Sequence, residues 1–282
     1  MTIWQALVLG ILQGATEFIP VSSSGHLTLV PWLLNWQFDP LLKGAFDVLT
    51  HWGTLVAVVA VFWRDLWALF LGGLRTLGGL LEGGIRGIAS RAQQDSQGRL
   101  AWLIVIGSIP AAVLGLLLED FFEMLFGTPP LVSLLLLVTA GLLALSEWRG
   151  KKGREVEDLG VLDALLIGLG QALAIAPGIS RSGATIASGL LRGIKREAAA
   201  RFSFLLSTPV IVGAGVWQLK DLFEAGGEVA LGPMIAGFVA SAVVGYACIR
   251  FLLGYLRRKG LYPFAIYCAL AGTACLVISL VR

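Results

Sequence analysis

Two short stretches of this chain gather polar and ionisable residues that contrast with the apolar sequence around them. Gln13, Glu17, Ser22, Ser23, Ser24 and His26 fall within fourteen residues. A second group, Ser180, Arg181, Ser182 and Thr185, occupies the run Pro177-Gly178-Ile179-Ser180-Arg181-Ser182-Gly183-Ala184-Thr185. Gln13 and Glu17 stand one helical turn apart and share a face. Ser23 and His26 sit where a Pro/Ser/Gly break gives way to a new helix, so a hydroxyl and an imidazole lie beside free backbone N–H groups, a setting that binds anions. The pair suits either a nucleophile with its base or a phosphate clamp. Arg181 presents a planar fork that wants a bidentate oxyanion, and either Glu17 or a phosphate would satisfy it. Plainer readings compete: Gln13 and Glu17 as a structural pair, Ser22 to Ser24 as helix caps, and Glu17–Arg181 as a salt bridge that only holds the fold.

His51, in Thr50-His51-Trp52-Gly53-Thr54 with Asp47 one turn earlier, reads as a packed, hydrogen-bonded histidine, with a supporting role near the site as the alternative. The chain has no repeated His/Cys/Asp cluster of metal-ligand spacing and no nucleophile-elbow or phosphate-loop signature. Soluble-enzyme templates therefore do not apply.

The elements that must position these residues are membrane helices. Hydrophobic residues make up 57% of the chain and charged residues 14%, with a mean hydropathy of +0.84, more apolar surface than a soluble domain of 282 residues can bury. A carboxylate at membrane depth costs several kcal/mol unless paired or facing water, which makes Glu17 a functional candidate in its own right. The formal charge of +3 is too small to suggest nucleic acid as a partner. Cys248, Cys268 and Cys275 all lie in apolar stretches and read as small packing residues. The segment from Ile3 to Ile19 lacks a basic leader and carries Gln13 and Glu17, so it reads as mature structure and not as a secretory signal.

Six stretches read as full spans, at about 46–63, 100–118, 131–148, 203–219, 232–253 and 263–281. Residues 3–36 and 161–192 are instead broken in the middle, each half too short to cross, and read as re-entrant helical hairpins. The two hairpins align without gaps when residue i is set against i+158, matching Gly10 with Gly168, Gln13 with Gln171, Ser22 with Ser180 and Gly25 with Gly183. A weaker echo sets Ala112-Val113-Leu114-Gly115 against Ala242-Val243-Val244-Gly245. Of the 21 Lys/Arg, 17 lie in the loops 64–99, 149–154, 192–201 and 250–259, whereas the connectors 119–129 and 221–230 carry Glu119, Asp120, Glu123, Asp221, Glu224 and Glu228. With basic loops cytoplasmic, the two halves run in opposite directions and the hairpins enter from opposite faces. The expected fold is an all-α polytopic membrane protein, an inverted-topology repeat of six transmembrane helices and two re-entrant hairpins, in one domain with halves at about 1–150 and 155–282. The Gly/Leu/Arg-rich linker 64–99 is expected to include an interfacial amphipathic helix.

The stretches Gln13-Gly14-Ala15-Thr16-Glu17-Phe18-Ile19-Pro20-Val21-Ser22-Ser23-Ser24-Gly25-His26 and Pro177 to Thr185, in that order, together with Phe202-Ser203-Phe204-Leu205-Leu206-Ser207-Thr208-Pro209, resemble the motifs of the undecaprenyl-diphosphate phosphatases of the bacitracin-resistance type. That resemblance implies a bacterial inner-membrane enzyme acting on the polyprenyl diphosphate carrier of cell-wall synthesis, open to the periplasm, with a homodimer as a common state. It puts Glu17, Ser23, His26 and Arg181 in the catalytic positions and Gln13, Ser22, Ser180, Ser182 and Thr185 in substrate-binding support. It also raises a divalent cation, Mg or Ca, with Glu17 as its candidate ligand. Gln13 stands where some relatives carry Glu, which removes one carboxylate and leaves more to Glu17. A polyprenyl-phosphate transporter or flippase is the competing reading, because transporters also build sites from broken helices.

Overall fold

The computed structural model describes residues 1–151, 153–224 and 231–282, and among them the chain is helical throughout, with no β-strand. Helix α1 (Ile3–Phe18) starts at Thr2, whose side chain exchanges hydrogen bonds with Gln5, and stops before Pro20, since the residue preceding a proline disfavours helix. The chain then turns into α2 (Ser23–Leu33), capped by Ser22, and reaches α3 (Pro40–Leu77) through an Asp39 cap with proline at the first helical position. Two short helices, α4 (Leu80–Gly83) and α5 (Ile85–Gln94), lead to α6 (Ser96–Leu117), α7 (Glu119–Phe126) and α8 (Pro129–Arg149). The chain continues with α9 (Val161–Leu173), α10 (Arg181–Leu191), α11 (Arg196–Glu224), α12 (Leu231–Leu256) and α13 (Tyr262–Val281).

Six helices among the described residues are long and apolar enough to cross a membrane, and they coincide with the six expected spans. The first differs in length. Expected over 46–63, it continues as α3 to Leu77, bending at Phe62 where the backbone leaves the helical region (φ −110°, ψ 20°). Nothing in 64–77 forbids helix, since that stretch holds no proline, and Gly72 lets α3 approach α6 so closely that a Cβ there would lie 2.5 Å from the Gly98 amide nitrogen. The linker 64–99 is therefore largely helical. Two helices, α4 and α5, follow the end of α3, and on them Leu81 and Ile85 are almost fully exposed.

Both broken segments are pairs of short helices. At 1.5 Å per residue, α1 with 16 residues and α9 with 13 are roughly 20–24 Å long, and α2 and α10 with 11 each about 16 Å, all short of a ~30 Å hydrocarbon core. Helix α1 packs on α12 and α9 packs on α6, while α8 lies against α13 and α3 against α11. The first two contacts are built from glycines in the same way. A Cβ on Gly10 would sit 2.5 Å from the Gly237 carbonyl oxygen, and one on Gly168 would sit 2.2 Å from the Gly107 carbonyl oxygen. Gly107 and Gly237 are related by the same offset as the Gly115–Gly245 echo.

Buried acids tie the helix ends together. Asp163, at the start of α9, accepts from Arg154 and Arg192 at 2.7 Å each, clamping the foot of the second hairpin. Glu147, at the end of α8, pairs with Arg196 at the start of α11 and accepts the Leu261 amide at 3.1 Å. The acidic side chains expected on the connectors, Glu119, Asp120, Glu123, Asp221, Glu224 and Glu228, lie outside the described residues, as does Lys152.

Candidate active site

The two broken segments meet tip to tip. Glu17, in the last turn of α1, is 6% exposed, and its carboxylate collects donors from three directions. Gln13 Nε2 donates to Oε2 at 3.0 Å from one turn earlier, Ser23 Oγ donates to the same oxygen at 2.6 Å from the first turn of α2, and Arg181 donates to Oε1 at 2.5 Å from the first turn of α10. A fourth group, His51 of α3, has Nε2 3.7 Å from Oε2. A buried carboxylate thus finds its compensation in a cation from the other half of the chain and in two neutral donors of its own half.

Local backbone makes this convergence possible. Ser22 and Ser180 cap their helices, each accepting a backbone amide three residues on, from Gly25 at 3.2 Å and Gly183 at 3.0 Å. Ser23 and Arg181 are consequently the first helical residues of α2 and α10, and the two helix N-termini lend positive potential to the space between them. Ser22 adopts φ 74°, a left-handed value that a non-glycine residue holds only against a cost of order 1–3 kcal/mol, of the kind that collects at functional sites. Each turn is also held from a neighbouring span. Thr139 of α8 donates to the Gly178 carbonyl at 2.9 Å and accepts from the Ser180 amide at 3.0 Å, and the Cys268 thiol of α13 lies 3.8 Å from the Pro20 carbonyl.

Of the nine residues singled out from the sequence, Gln13, Glu17, Ser23 and Arg181 form one hydrogen-bonded group. Ser22 and Ser180 act as caps. Ser182 lies within 3.2 Å of Ser180 Oγ, and Thr185 Oγ1 is 2.6 Å from Ser203 Oγ of α11, whose carbonyl in turn accepts from Arg181 at 3.4 Å. His26 stands apart from the group. Its Nδ1 faces the Ser22 carbonyl at 2.7 Å and its Nε2 the Tyr267 hydroxyl of α13 at 2.7 Å, so the Ser23–His26 pairing suggested by their spacing is not the one formed. Ser23 instead has Glu17 as its proton acceptor.

Three contributors carried no clear signal in the sequence. Ser203 lay inside a quoted motif without a role, His51 read first as a packed histidine with a supporting role near the site as the alternative, and Tyr267 is 241 positions from the histidine it touches. A divalent cation finds a poor protein site here. Both Glu17 oxygens are engaged, and among the described residues no three His, Cys, Asp or Glu side chains converge in a way that could hold a metal ion. No step is routed through one below.

The profile of a family described as bacitracin resistance protein BacA matches residues 6–274, a span that begins in the first turn of α1, ends inside α13 and takes in every element between them. The chain belongs to that family. Its relatives are alike over almost their whole length. The undecaprenyl-diphosphatase of Pelotomaculum thermopropionicum is 42% identical over 282 residues, covering 100% of this chain and 98% of the relative. That of Moorella thermoacetica is 46% identical over 272 residues, covering 95% and 94%, and that of Geobacter sulfurreducens is 44% identical over 286 residues, covering all of both.

Proposed function

We propose that this protein is a membrane-embedded phosphatase that hydrolyses undecaprenyl diphosphate to undecaprenyl phosphate and inorganic phosphate, recycling the lipid carrier of cell-wall synthesis. The observation that carries the reading is the meeting of Glu17 and Ser23 from one broken segment with Arg181 from the other, in a family whose relatives are named for this activity. Acid, nucleophile and anion clamp together exceed what binding alone needs.

The geometry supports a two-step displacement. Ser23 Oγ attacks the terminal phosphorus while Glu17 Oε2, 2.6 Å away, takes its proton; the Ser23–phosphorus bond forms as the anhydride oxygen leaves with the prenyl monophosphate. Glu17 passes that proton on to the departing prenyl phosphate and is then free to take one from the water that attacks the phosphoserine; it returns this proton to Ser23 Oγ as the Ser23–phosphorus bond breaks and inorganic phosphate departs. Arg181 and the two helix N-termini face the charge that develops on the phosphoryl oxygens, Arg181 exchanging Glu17 for phosphate as the substrate arrives. Gln13, Ser180, Ser182 and Thr185 orient these groups. His26 is the alternative nucleophile through Nε2. An acid-stable phosphoserine trapped in a single turnover supports Ser23; an acid-labile phosphohistidine would transfer the role to His26, and direct incorporation of labelled water oxygen with neither adduct would replace both with one-step hydrolysis. Any divalent cation, Mg or Ca, is taken to arrive on the diphosphate.

The setting proposed is the bacterial plasma membrane, multi-pass, with the site open to the periplasm and halves of about 1–150 and 155–282 related by an in-plane pseudo-two-fold axis. The matching glycine contacts and the basic-loop distribution support that arrangement, and cysteine accessibility from each side tests it: feet of both hairpins labelled from a single face would end it. A homodimer is the expected assembly, checked by light scattering in detergent. The second reading, a polyprenyl-phosphate flippase, is favoured by the paired broken helices. Phosphate release from undecaprenyl diphosphate by purified protein in detergent, where no vectorial transport exists, separates the two, and no release would sink the phosphatase.

A further inference from the structure

His26 Nδ1 lies 2.7 Å from a backbone carbonyl, which can only accept, so Nδ1 carries the ring proton and Nε2 keeps its lone pair. That lone pair, the part of the ring able to meet a phosphate, accepts from the Tyr267 hydroxyl at 2.7 Å. The two rings run almost parallel, 10° apart with centroids at 5.7 Å. His26 is 8% exposed and Tyr267 46%, so the histidine is fixed while the phenol has room to swing outward on α13.

The fold does not require this pair. The Thr139–Gly178 and Cys268–Pro20 contacts match Thr139 with Cys268, and the residues just before them are Val138 and Tyr267, while the hairpin offset matches His26 with Ala184. Val138, at 43% exposed, and Ala184, buried, carry no polar side-chain group at those places in the other half. A histidine and a tyrosine hydrogen-bonded at only one of two equivalent places mark a chemical need there.

We propose that Tyr267 is a positioning residue for the reaction, a reversible cap whose hydroxyl holds His26 Nε2 until an oxygen of the lipid diphosphate takes its place. The proposal rests on the phosphatase reading for its kinetic consequences but not for the contact itself. As the phosphate arrives the Tyr267 hydroxyl gives up Nε2, and no covalent bond changes.

The test uses the full chain in detergent with undecaprenyl diphosphate. Tyr267→Phe keeps the ring and removes the hydroxyl; because the contact it deletes is made only before the phosphate arrives, KM should fall about three- to tenfold, the value of one hydrogen bond, with kcat within about twofold. In a His26→Ala background the same change should leave KM where it was; a shift that persists there would make Tyr267 a packing residue and overturn the proposal. The chain has two histidines, so nitrogen-15 histidine spectra give a readout independent of turnover, with His51→Gln assigning the signals. The Nε2 signal of His26 should move on Tyr267→Phe; an unmoved signal overturns the cap. Failure of the unaltered protein to release phosphate would instead sink the phosphatase reading, and the spectra would still decide the contact.

Discussion

Aligned at their offset of 158 residues, the α1–α2 and α9–α10 segments share caps, glycine contacts and a turn carbonyl held from a neighbouring span, yet they carry different chemistry. Opposite Glu17, Ser23 and His26 in the first stand Ile175, Arg181 and Ala184 in the second. The backbones diverge at the same places: Ser22 holds φ 74° where Ser180 holds −69°, and Gly178 takes φ 102° where Pro20 stands in the first turn. The feet differ as well, neutral Thr2 and Gln5 capping α1 while Asp163 with two arginines closes α9. The two segments thus bring two helix N-termini to one site, the first with an acid and a nucleophile and the second with a cation. Neither hairpin alone holds the set.

The largest effects should follow from removing that complementarity. Glu17→Gln keeps the shape and the Gln13 and Ser23 neighbours but removes the proton acceptor, and should lower phosphate release on the order of 10³-fold, whereas Ile175→Val at the matching position should leave turnover near that of the unaltered protein. Comparable losses at both positions would mean the site is not confined to one hairpin. Next is Arg181→Lys, which keeps the charge and loses the planar fork. We expect roughly a 10²-fold fall in kcat/KM with the protein still inserted and monodisperse. Turnover left intact would reduce Arg181 to a strut for Glu17, and loss of folded protein would do the same by a different route.

Glycine substitutions test the shared scaffold. A Cβ on Gly10 or Gly168 would overlap a carbonyl oxygen on α12 or α6, at 2.5 and 2.2 Å, so Gly10→Ala and Gly168→Ala should each destabilise by about 1–3 kcal/mol, read as a lower unfolding temperature in detergent. The sharper expectation is that the two losses are similar. One large and one negligible loss would show that the two crossings are not energetically alike.

Much of this comparison was legible before any coordinates, because spans announce themselves by apolar length and the repeat by identities at a fixed offset. Glu17 and Arg181 were legible for a related reason, since charge at membrane depth needs an explanation that a leucine does not. What the sequence could not carry was the partner across a long separation. Tyr267 is one aromatic among many in an apolar span, and His51 looked like a packed side chain because nothing local shows that α3 passes within 3.7 Å of Glu17. The Ser23–His26 spacing misled in the opposite sense: three positions apart at a helix start, they are near neighbours, but Ser22 and Tyr267 hold the ring while Glu17 draws the hydroxyl. The extension of α3 to Leu77 was hidden by glycine and arginine, which read as a loop when the contact Gly72 makes with α6 is unknown.

The smallest expected effect separates the two glutamines that the repeat aligns. Gln13 and Gln171 are both buried, at 0% and 2% exposed, Gln13 one turn before Glu17 in α1 and Gln171 two residues before the end of α9. Gln13 Nε2 has Glu17 to donate to, while the position four after Gln171 is the apolar Ile175, and neither amide atom of Gln171 has a protein hydrogen-bond partner among the described residues. Burying an unpaired amide costs about 1–3 kcal/mol, so replacing it with an apolar side chain of similar volume removes a penalty. Gln171→Leu should therefore leave activity within about twofold and stability unchanged or slightly higher. Gln13→Leu takes a donor from the Glu17 carboxylate and should lower kcat several-fold with little change in unfolding temperature. A Gln171→Leu protein that loses about 2 kcal/mol or more would show that the second amide has a partner worth keeping, and the two hairpins would then be less different than their side chains suggest.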